Sequence, residues 1–349
     1  PPIVHIVRRY GRVGGMEKYV WELTHRLLEQ GVLIEIVCES VANSPDPRIK
    51  IHKVPSSPER PRWKSMLNFR TLTEEFLVRE LSSRKLIIHS HERSINHHVT
   101  TFHGPPMQGR KILWGIPCLN RRICAWEEME REEVLGRSVQ CVLSVSSLIQ
   151  RALVNAYPSI REKHMELAWP GVHHPRSGSK VVSGRSECSL RFVFVGAEWR
   201  RKGLKLAVDI VGKFRAGGDT ATLDVFGVAE NNLPRAIRSL AWVICKGWTS
   251  DIPWKHYDAL LHPARNEPFG MVVSEARAEG LPVLISDRVG ASDISYKDTT
   301  LVNLNAPISE WVNALRDLVE KSDNCAEVKW TWDDLVEAHI ASIYPKIVV

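Results

Sequence analysis

Short apolar runs alternate with segments of helical spacing along nearly the whole of this 349-residue chain, and the alternation runs through twice. In the first half, strands are expected at 3–7, 32–38, 85–89 and 139–145, and helices at 16–30, 66–82, 125–136 and 147–156. A basic, Pro-rich stretch covers 43–64. Residues 96–124 read as irregular, apart from an apolar strand that opens at Val99 and ends in a turn at Gly104-Pro105-Pro106. Residues 173–190 are polar and rich in Ser and Gly, the composition of a linker. The second series has strands at 191–196, 221–226, 241–245, 258–262 and 282–285. Its helices fall at 203–216, 233–240, 253–257, 269–279 and 308–321. Trp330 to Val348 reads as a closing helix. Apolar strands spaced by helices are what a parallel sheet covered on both faces requires, so the expected fold is α/β with two doubly wound, Rossmann-like domains. No repeat of 20–50 residues is visible, which excludes a solenoid.

The most informative short stretch is Glu267-Pro268-Phe269-Gly270-Met271-Val272-Val273-Ser274-Glu275, which runs on into Gly280-Leu281-Pro282-Val283. It reads as a loop, a helix N-terminus, a helix and a buried strand. A helix N-terminus carries unpaired N–H groups and partial positive charge, so the backbone at Phe269, Gly270, Met271 and Val272 suits a phosphate. Glu275, about a turn into the helix, is placed to accept hydrogen bonds from a diol such as a ribose. Glu267 precedes the helix, where it can face a reacting sugar.

These residues resemble the E-x7-E motif of retaining GT-B glycosyltransferases of family 4, with the flanking Pro-Phe-Gly and Gly-Leu-Pro-Val matching as well. The resemblance covers essentially the full chain and is weakest over 40–125. It implies two Rossmann-like domains facing across a cleft: an acceptor domain at 1–172, with the closing helix 330–349 crossing back to it, and a donor domain at 173–329. It implies that Glu275 holds the nucleotide ribose and that Glu267 contacts the donor sugar.

Further positions fit the same chemistry. Gly14-Gly15 falls in the first strand-to-helix loop, where glycines let backbone approach a diphosphate or sugar and where open α/β sheets bind ligands. Phe194-Val195-Gly196-Ala197-Glu198-Trp199-Arg200-Arg201-Lys202-Gly203 places three cations before a helix, against the helix dipole, which points to an anionic ligand. Arg201 and Lys202 are the expected neutralisers of a leaving diphosphate, with Arg200 the competitor of Arg201. Most family members carry arginine at the position of Ala197; the Arg-Lys-Gly form here resembles bacterial lipopolysaccharide core glucosyltransferases. His103, in Phe102-His103-Gly104, resembles the histidine that contacts donor sugar or acceptor. Gly227 ends the strand Leu223-Asp224-Val225-Phe226, where the resemblance implies a glycine facing the nucleotide. Trp248 follows Lys246-Gly247 and is read either as a stacking platform for uracil or as a core tryptophan. Pro170-Gly171-Val172 resembles the hinge between domains. Arg265 and Asn266, next to Glu267, are weaker donor contacts.

Charge and composition bound the partners. Residues 1–172 hold 25 Lys and Arg against 18 Asp and Glu, and residues 173–349 hold 22 against 22, so the whole excess of +7 lies in the first half. It concentrates in Arg8-Arg9-Tyr10-Gly11-Arg12, Arg60-Pro61-Arg62-Trp63-Lys64, Arg110-Lys111 and Arg121-Arg122. An anionic membrane surface, a phosphorylated acceptor and a plain solvated face are the readings of this asymmetry. Nucleic acid is set aside, because the patches belong to no recognisable module. The seven scattered cysteines include no C-x-x-C, no run approaches the ~18–20 apolar residues of a membrane span, and no secretory signal is visible. The expected location is cytoplasmic, peripheral on the inner membrane face if the basic half binds lipid.

No cofactor and no metal are expected. Asp-x-Asp and H-E-x-x-H are absent, and His89, His91, His97 and His98 lack a cysteine at zinc spacing. The expected function is transfer of a hexose, with retention, from a nucleotide sugar of UDP type to a saccharide or glycolipid acceptor, such as lipopolysaccharide core or another surface glycan. The rivals are an epimerase-like enzyme that releases free nucleotide and an inactive sugar-nucleotide-binding partner, the latter suggested by Ala197.

Overall fold

A computed structural model describes residues 1–58, 60–107, 112–113, 116–117, 121–174, 189–323 and 325–349. Arg110, Lys111 and most of the expected linker therefore lie outside the described residues. The chain forms two compact units, one of Pro1–Pro170 with Trp332–Val349 and one of Gly171–Thr331.

The first unit is built on strands β1 (Ile3–Ile6), β2 (Ile34–Cys38), β3 (Lys50–Lys53), β4 (Ile87–Ser90), β5 (Val99–Phe102), β6 (Cys141–Ser144) and β7 (His164–Leu167). They pair in the order β7-β6-β5-β4-β1-β2-β3, all parallel. The crossovers run through α1 (Gly15–Glu29), α2 (Arg62–Phe76), α3 (Arg121–Leu135) and α4 (Ser147–Ala156). Chain order reverses between β1 and β4, which makes that pair of strand ends the switch point of the sheet. The central strands β1, β2, β4, β5 and β6 are buried throughout, the reason they read as continuous apolar runs. Val4, Ile6, Val37, Phe69, Leu77, Leu81 and Ile88 make one core layer.

The chain returns to this unit through α9 (Trp332–Ala338) and the turns that follow it. Trp332 is buried and meets the Tyr19 ring edge-on. Arg26 pairs with Asp333 at 3.0 Å. The Tyr344 hydroxyl lies 2.9 Å from His89 Nδ1, and Val348 exchanges two hydrogen bonds with the Gln140 side chain.

The second unit carries β8 (Leu190–Val195), β9 (Ala221–Phe226), β10 (Val243–Gly247), β11 (Ala259–His262), β12 (Val283–Ser286) and β13 (Thr299–Val302). Their order is β10-β9-β8-β11-β12-β13, again parallel, with the switch point between β8 and β11. The helices are α5 (Leu204–Ala216), α6 (Arg235–Arg238), α7 (Met271–Ala278) and α8 (Ile308–Lys321). Phe192, Phe194, Phe214 and Trp311 fill the core between β8, α5 and α8.

Several expected boundaries are corrected. The Pro-rich stretch 43–64 contains edge strand β3, whose alternating Lys50-Ile51-His52-Lys53 is too short and too charged to stand out, and α2 already begins at Arg62. Strands β7 and β13 are missed because each is an edge strand, only half buried. Residues 121–124 are helical, and the helix expected from 269 starts at Met271. The closing helix begins at Trp332 and tightens into short irregular turns. Among the described residues no helix is long and apolar enough to cross a membrane.

Candidate active site

In the second unit, the strand ends converge because glycines let them. Gly227 follows β9 with φ of +88°, and a Cβ there would lie 2.9 Å from the carbonyl carbon of Gly196, the residue after β8. Gly203, with φ of +84°, caps α5 where a Cβ would strike the carbonyl oxygen of Pro263 in the loop after β11. Neither position accepts a side chain without strain. The loop after β8 and the loop after β11 are thereby held against each other at the switch point.

That contact gathers the charges. Lys202 Nζ lies 3.1 Å from Glu267 Oε2, and the Arg201 guanidinium lies 3.3 Å from the same oxygen. Arg201 also bonds the Asn266 carbonyl at 2.6 Å and Glu198 at 2.7 Å. Arg200 turns away and stacks over the Trp199 ring, 4.3 Å from its centroid. His262, the last residue of β11, is fully buried, with Nε2 at 3.5 Å from Glu267 Oε2. The backbone of Glu267 is clipped on both sides, its N–H donating to Arg288 O and its carbonyl accepting from Gly290 N.

Burial alone would raise the Glu267 pKa. The His262 ring, then the Lys202 ammonium and the Arg201 guanidinium, outweigh burial and hold the carboxyl below its ordinary range. His262 is pushed down, first by burial, and stands neutral beside it. Sequence reasoning missed His262. Its one signal is a histidine closing the apolar run Ala259-Leu260-Leu261, five residues before Glu267.

Gly270 turns the chain into α7 with φ of +95°, and a Cβ there would press on Glu267 Cγ at 3.1 Å. Phe269 is buried and its carbonyl accepts from Ala291 N. Met271 and Val272 open the helix, and Glu275 stands one turn in, partly buried. Trp248 is 78% exposed after β10, which removes the core-tryptophan reading. Arg265 is exposed, and its N–H donates to the Arg201 carbonyl.

In the first unit, Gly14 caps and Gly15 opens α1 after the connection 7–13 that leaves the β1 end, and the helix has no side-chain cap. His103 follows β5, its ring edge-on to Tyr19 at 5.0 Å. Behind it lies a cluster of histidines. His5, His89 and His91 are the three residues, among those described, whose potential ligand atoms fall within 4.8 Å of one another. Both nitrogens of His89 are already taken, by the hydroxyls of Tyr344 at 2.9 Å and Thr101 at 2.8 Å. His97 and His98 stand apart from this group: His97 Nε2 donates to the Glu133 carbonyl, and His98 Nδ1 accepts from Ile88 N. His97 and His98, next to His89 and His91 in sequence, thus do not join them, because the loop after β4 turns the two to other partners.

Two family descriptions match the chain, "Glycosyltransferase Family 4" over residues 13–176 and "Glycosyl transferases group 1" over residues 189–321. The fold and the two strand-end sites define a glycosyltransferase of GT-B type. The D-inositol 3-phosphate glycosyltransferase of Paenarthrobacter aurescens (strain TC1) is 26% identical, covering 89% of this chain and 85% of its own length. The crystal structure of WaaG, a glycosyltransferase involved in lipopolysaccharide biosynthesis, superposes with a TM-score of 0.74 at 16% identity, over 98% of this chain and 96% of WaaG. Anabaena Alr3699/HepE, solved in complex with UDP and glucose, gives a TM-score of 0.66 at 13% identity, over 99% of each chain. The chain belongs to glycosyltransferase family 4.

A carboxylate whose pKa falls on folding adds stability that is complete above its unfolded value of about 4.3 and is lost as the pH drops toward the folded value. Glu267→Gln should therefore lower stability at pH 7 by roughly 1–3 kcal/mol, since it takes the carboxylate from Lys202 and one of two from Arg201. Thermal melts should show the gap to wild type closing as the pH falls below about 4. Equal melting at pH 7 would remove the pairing described here.

Proposed function

We propose that the protein transfers a hexose from a nucleotide sugar, UDP-linked, to a saccharide or glycolipid acceptor with retention of configuration and without a divalent metal. One observation carries this reading: Lys202 and Arg201 converge on Glu267 at the switch point, where a diphosphate can replace the carboxylate as their partner. Leaving-group charge grows through the transition state, and fixed cations stabilise it where a metal would otherwise serve. The N–H groups that open α7 suit the same diphosphate, and Glu275 takes the ribose hydroxyls. Exposed Trp248 offers a ring for the base. On the acceptor side, Gly14, Gly15 and His103 are the proposed contacts with acceptor and sugar. With no separate buried nucleophile assigned, the reading is same-face substitution, in which the leaving phosphate helps deprotonate the acceptor hydroxyl.

The likeness to WaaG favours lipopolysaccharide core or another surface glycan as acceptor, and the inositol-phosphate relatives favour a phosphorylated polyol. The epimerase-like rival predicts release of free UDP without acceptor, and the inactive-partner rival predicts binding without turnover. Incubation with UDP-hexoses and a panel of such acceptors, in the presence of EDTA, should yield an α-linked product. Loss of activity in EDTA that Mg2+ or Mn2+ restores would end the metal-free reading. Glu275→Ala should weaken UDP binding roughly 10- to 150-fold by calorimetry, the loss of one charged acceptor. Lys202→Ala should lower kcat more than it raises the donor KM, and the reverse split would place Lys202 in ground-state binding.

The basic first unit is proposed to face an anionic membrane that carries the acceptor. Arg60, Arg62 and Lys64 lie exposed at the start of α2, and Arg121 and Arg122 at the start of α3. Cations at those ends oppose the helix dipole, so their placement answers to something outside the helix. Vesicle flotation should show binding to anionic and not neutral lipid, falling with salt over the ~10 Å Debye length at 0.1 M. Neutralising Arg60, Arg62 and Lys64 should cut it on the order of a hundredfold, at ~1 kcal/mol each. Binding unmoved by salt would leave the patch as a solvated face.

A further inference from the structure

The histidines behind His103 form a chain with a direction. His103 Nε2 lies 3.2 Å from His91 Nδ1, and His91 Nε2 lies 3.1 Å from His5 Nδ1. The sheet sets this order: His5 on β1 is in register with His89 on β4, His91 N donates to Ile6 O, and β5 delivers His103 beside them. His5 and His91 are buried, whereas His103 is partly exposed. No described residue bonds His103 Nδ1 or His5 Nε2, and the latter is fully buried.

All three rings are neutral near pH 7. Burial pushes His5 and His103 down to about 3, with His339 also lowering His5, and burial with the neighbouring histidines takes His91 well below its usual value. A neutral imidazole has one N–H and one lone pair, so each ring that donates on one side must accept on the other. Only two arrangements keep both bonds. In one, His103 donates to His91 and His91 to His5, which leaves the buried Nε2–H of His5 without an acceptor. In the other, His5 donates to His91 and His91 to His103, which leaves a bare lone pair on His5 Nε2. Among backbone groups an orphaned buried N–H is a rarer defect than an under-satisfied acceptor, and the same preference applied to the rings selects the second arrangement.

We propose that His5 and His91 are positioning residues that fix the tautomer of His103, keeping its proton on Nδ1. His103 then meets an incoming ligand oxygen as a hydrogen-bond donor and has no free base to offer. The statement that a ligand arrives there rests on the function proposed above; the tautomer does not.

Long-range proton–nitrogen correlation spectra of the ligand-free, 15N-histidine-labelled protein test the proposal. Protonated Nδ1 and bare Nε2 are expected on His103, His91 and His5 from pH 6 to 8. Protonated Nε2 on His103, or titration of any of the three in that range, would overturn it. So would stoichiometric Zn2+ shifting all three rings together, which would make the cluster a metal site. In His91→Leu, His103 should become a mixture of tautomers and kcat should fall about tenfold with donor KM little changed. His91→Gln, whose amide can donate to His103 Nε2, should restore both. If His91→Leu keeps the wild-type His103 pattern, His91 does not position it, and if that variant fails to fold the wild-type spectra still decide. If the tautomer is as stated and His103→Ala transfers sugar normally, the relay stands and the role given to His103 falls.

Discussion

The second unit depends on one approach of backbone to backbone. Where β8 and β11 lie side by side, their crossovers leave to opposite ends of the sheet, and the loops that follow would diverge if nothing held them. Gly203 against Pro263 closes that gap without a side chain, and Gly227 against Gly196 holds the loop after β9 to the loop after β8 in the same way. Lys202 and Arg201 then both face Glu267, with Glu198 a second carboxylate for Arg201. The electrostatics of the site follows from packing: buried between two cations and a neutral imidazole, the carboxylate stays ionised where burial alone would protonate it. A diphosphate entering that space brings the same sign of charge and more oxygens than the carboxylate.

The first unit repeats the topology with different chemistry. Its switch point, between β1 and β4, is occupied by imidazoles instead of ions. His5 and His89 sit across from each other there, and the hydroxyls of Tyr344 and Thr101 satisfy His89. One switch point thus holds strong fixed charge and the other neutral polarity, although the two sheets share the strand order 3-2-1-4-5-6 over their first six strands.

The fold was legible because parallel strands buried on both faces write themselves as unbroken apolar runs, as in Phe192-Val193-Phe194-Val195 and Val283-Leu284-Ile285. Edge strands β3, β7 and β13 are half exposed and lose that signature. The Glu267–Glu275 spacing and the Arg201-Lys202-Gly203 step were legible as local motifs. The histidine chain was not, because its meaning lies in contacts between residues up to 86 positions apart, which no local pattern carries; His262, five residues before Glu267, was missed because a histidine closing an apolar run reads as a core residue. Trp248 was ambiguous for a similar reason: a tryptophan after a strand reads alike whether it packs inward or stands in solvent.

The division of the chain has a consequence for how the protein is made. The second unit is one continuous segment, Gly171–Thr331, while the first is interrupted by it and completed by Trp332–Val349. A ribosome therefore releases the second unit ready to fold at once, but holds the first short of Trp332 and Tyr344, side chains buried against Tyr19 and His89. Until those last residues emerge, the nascent first sheet exposes apolar and imidazole surface across a closure of more than 160 residues, a long-range contact of the slow kind. The earliest-synthesised half of the enzyme is, in this sense, the last to be finished.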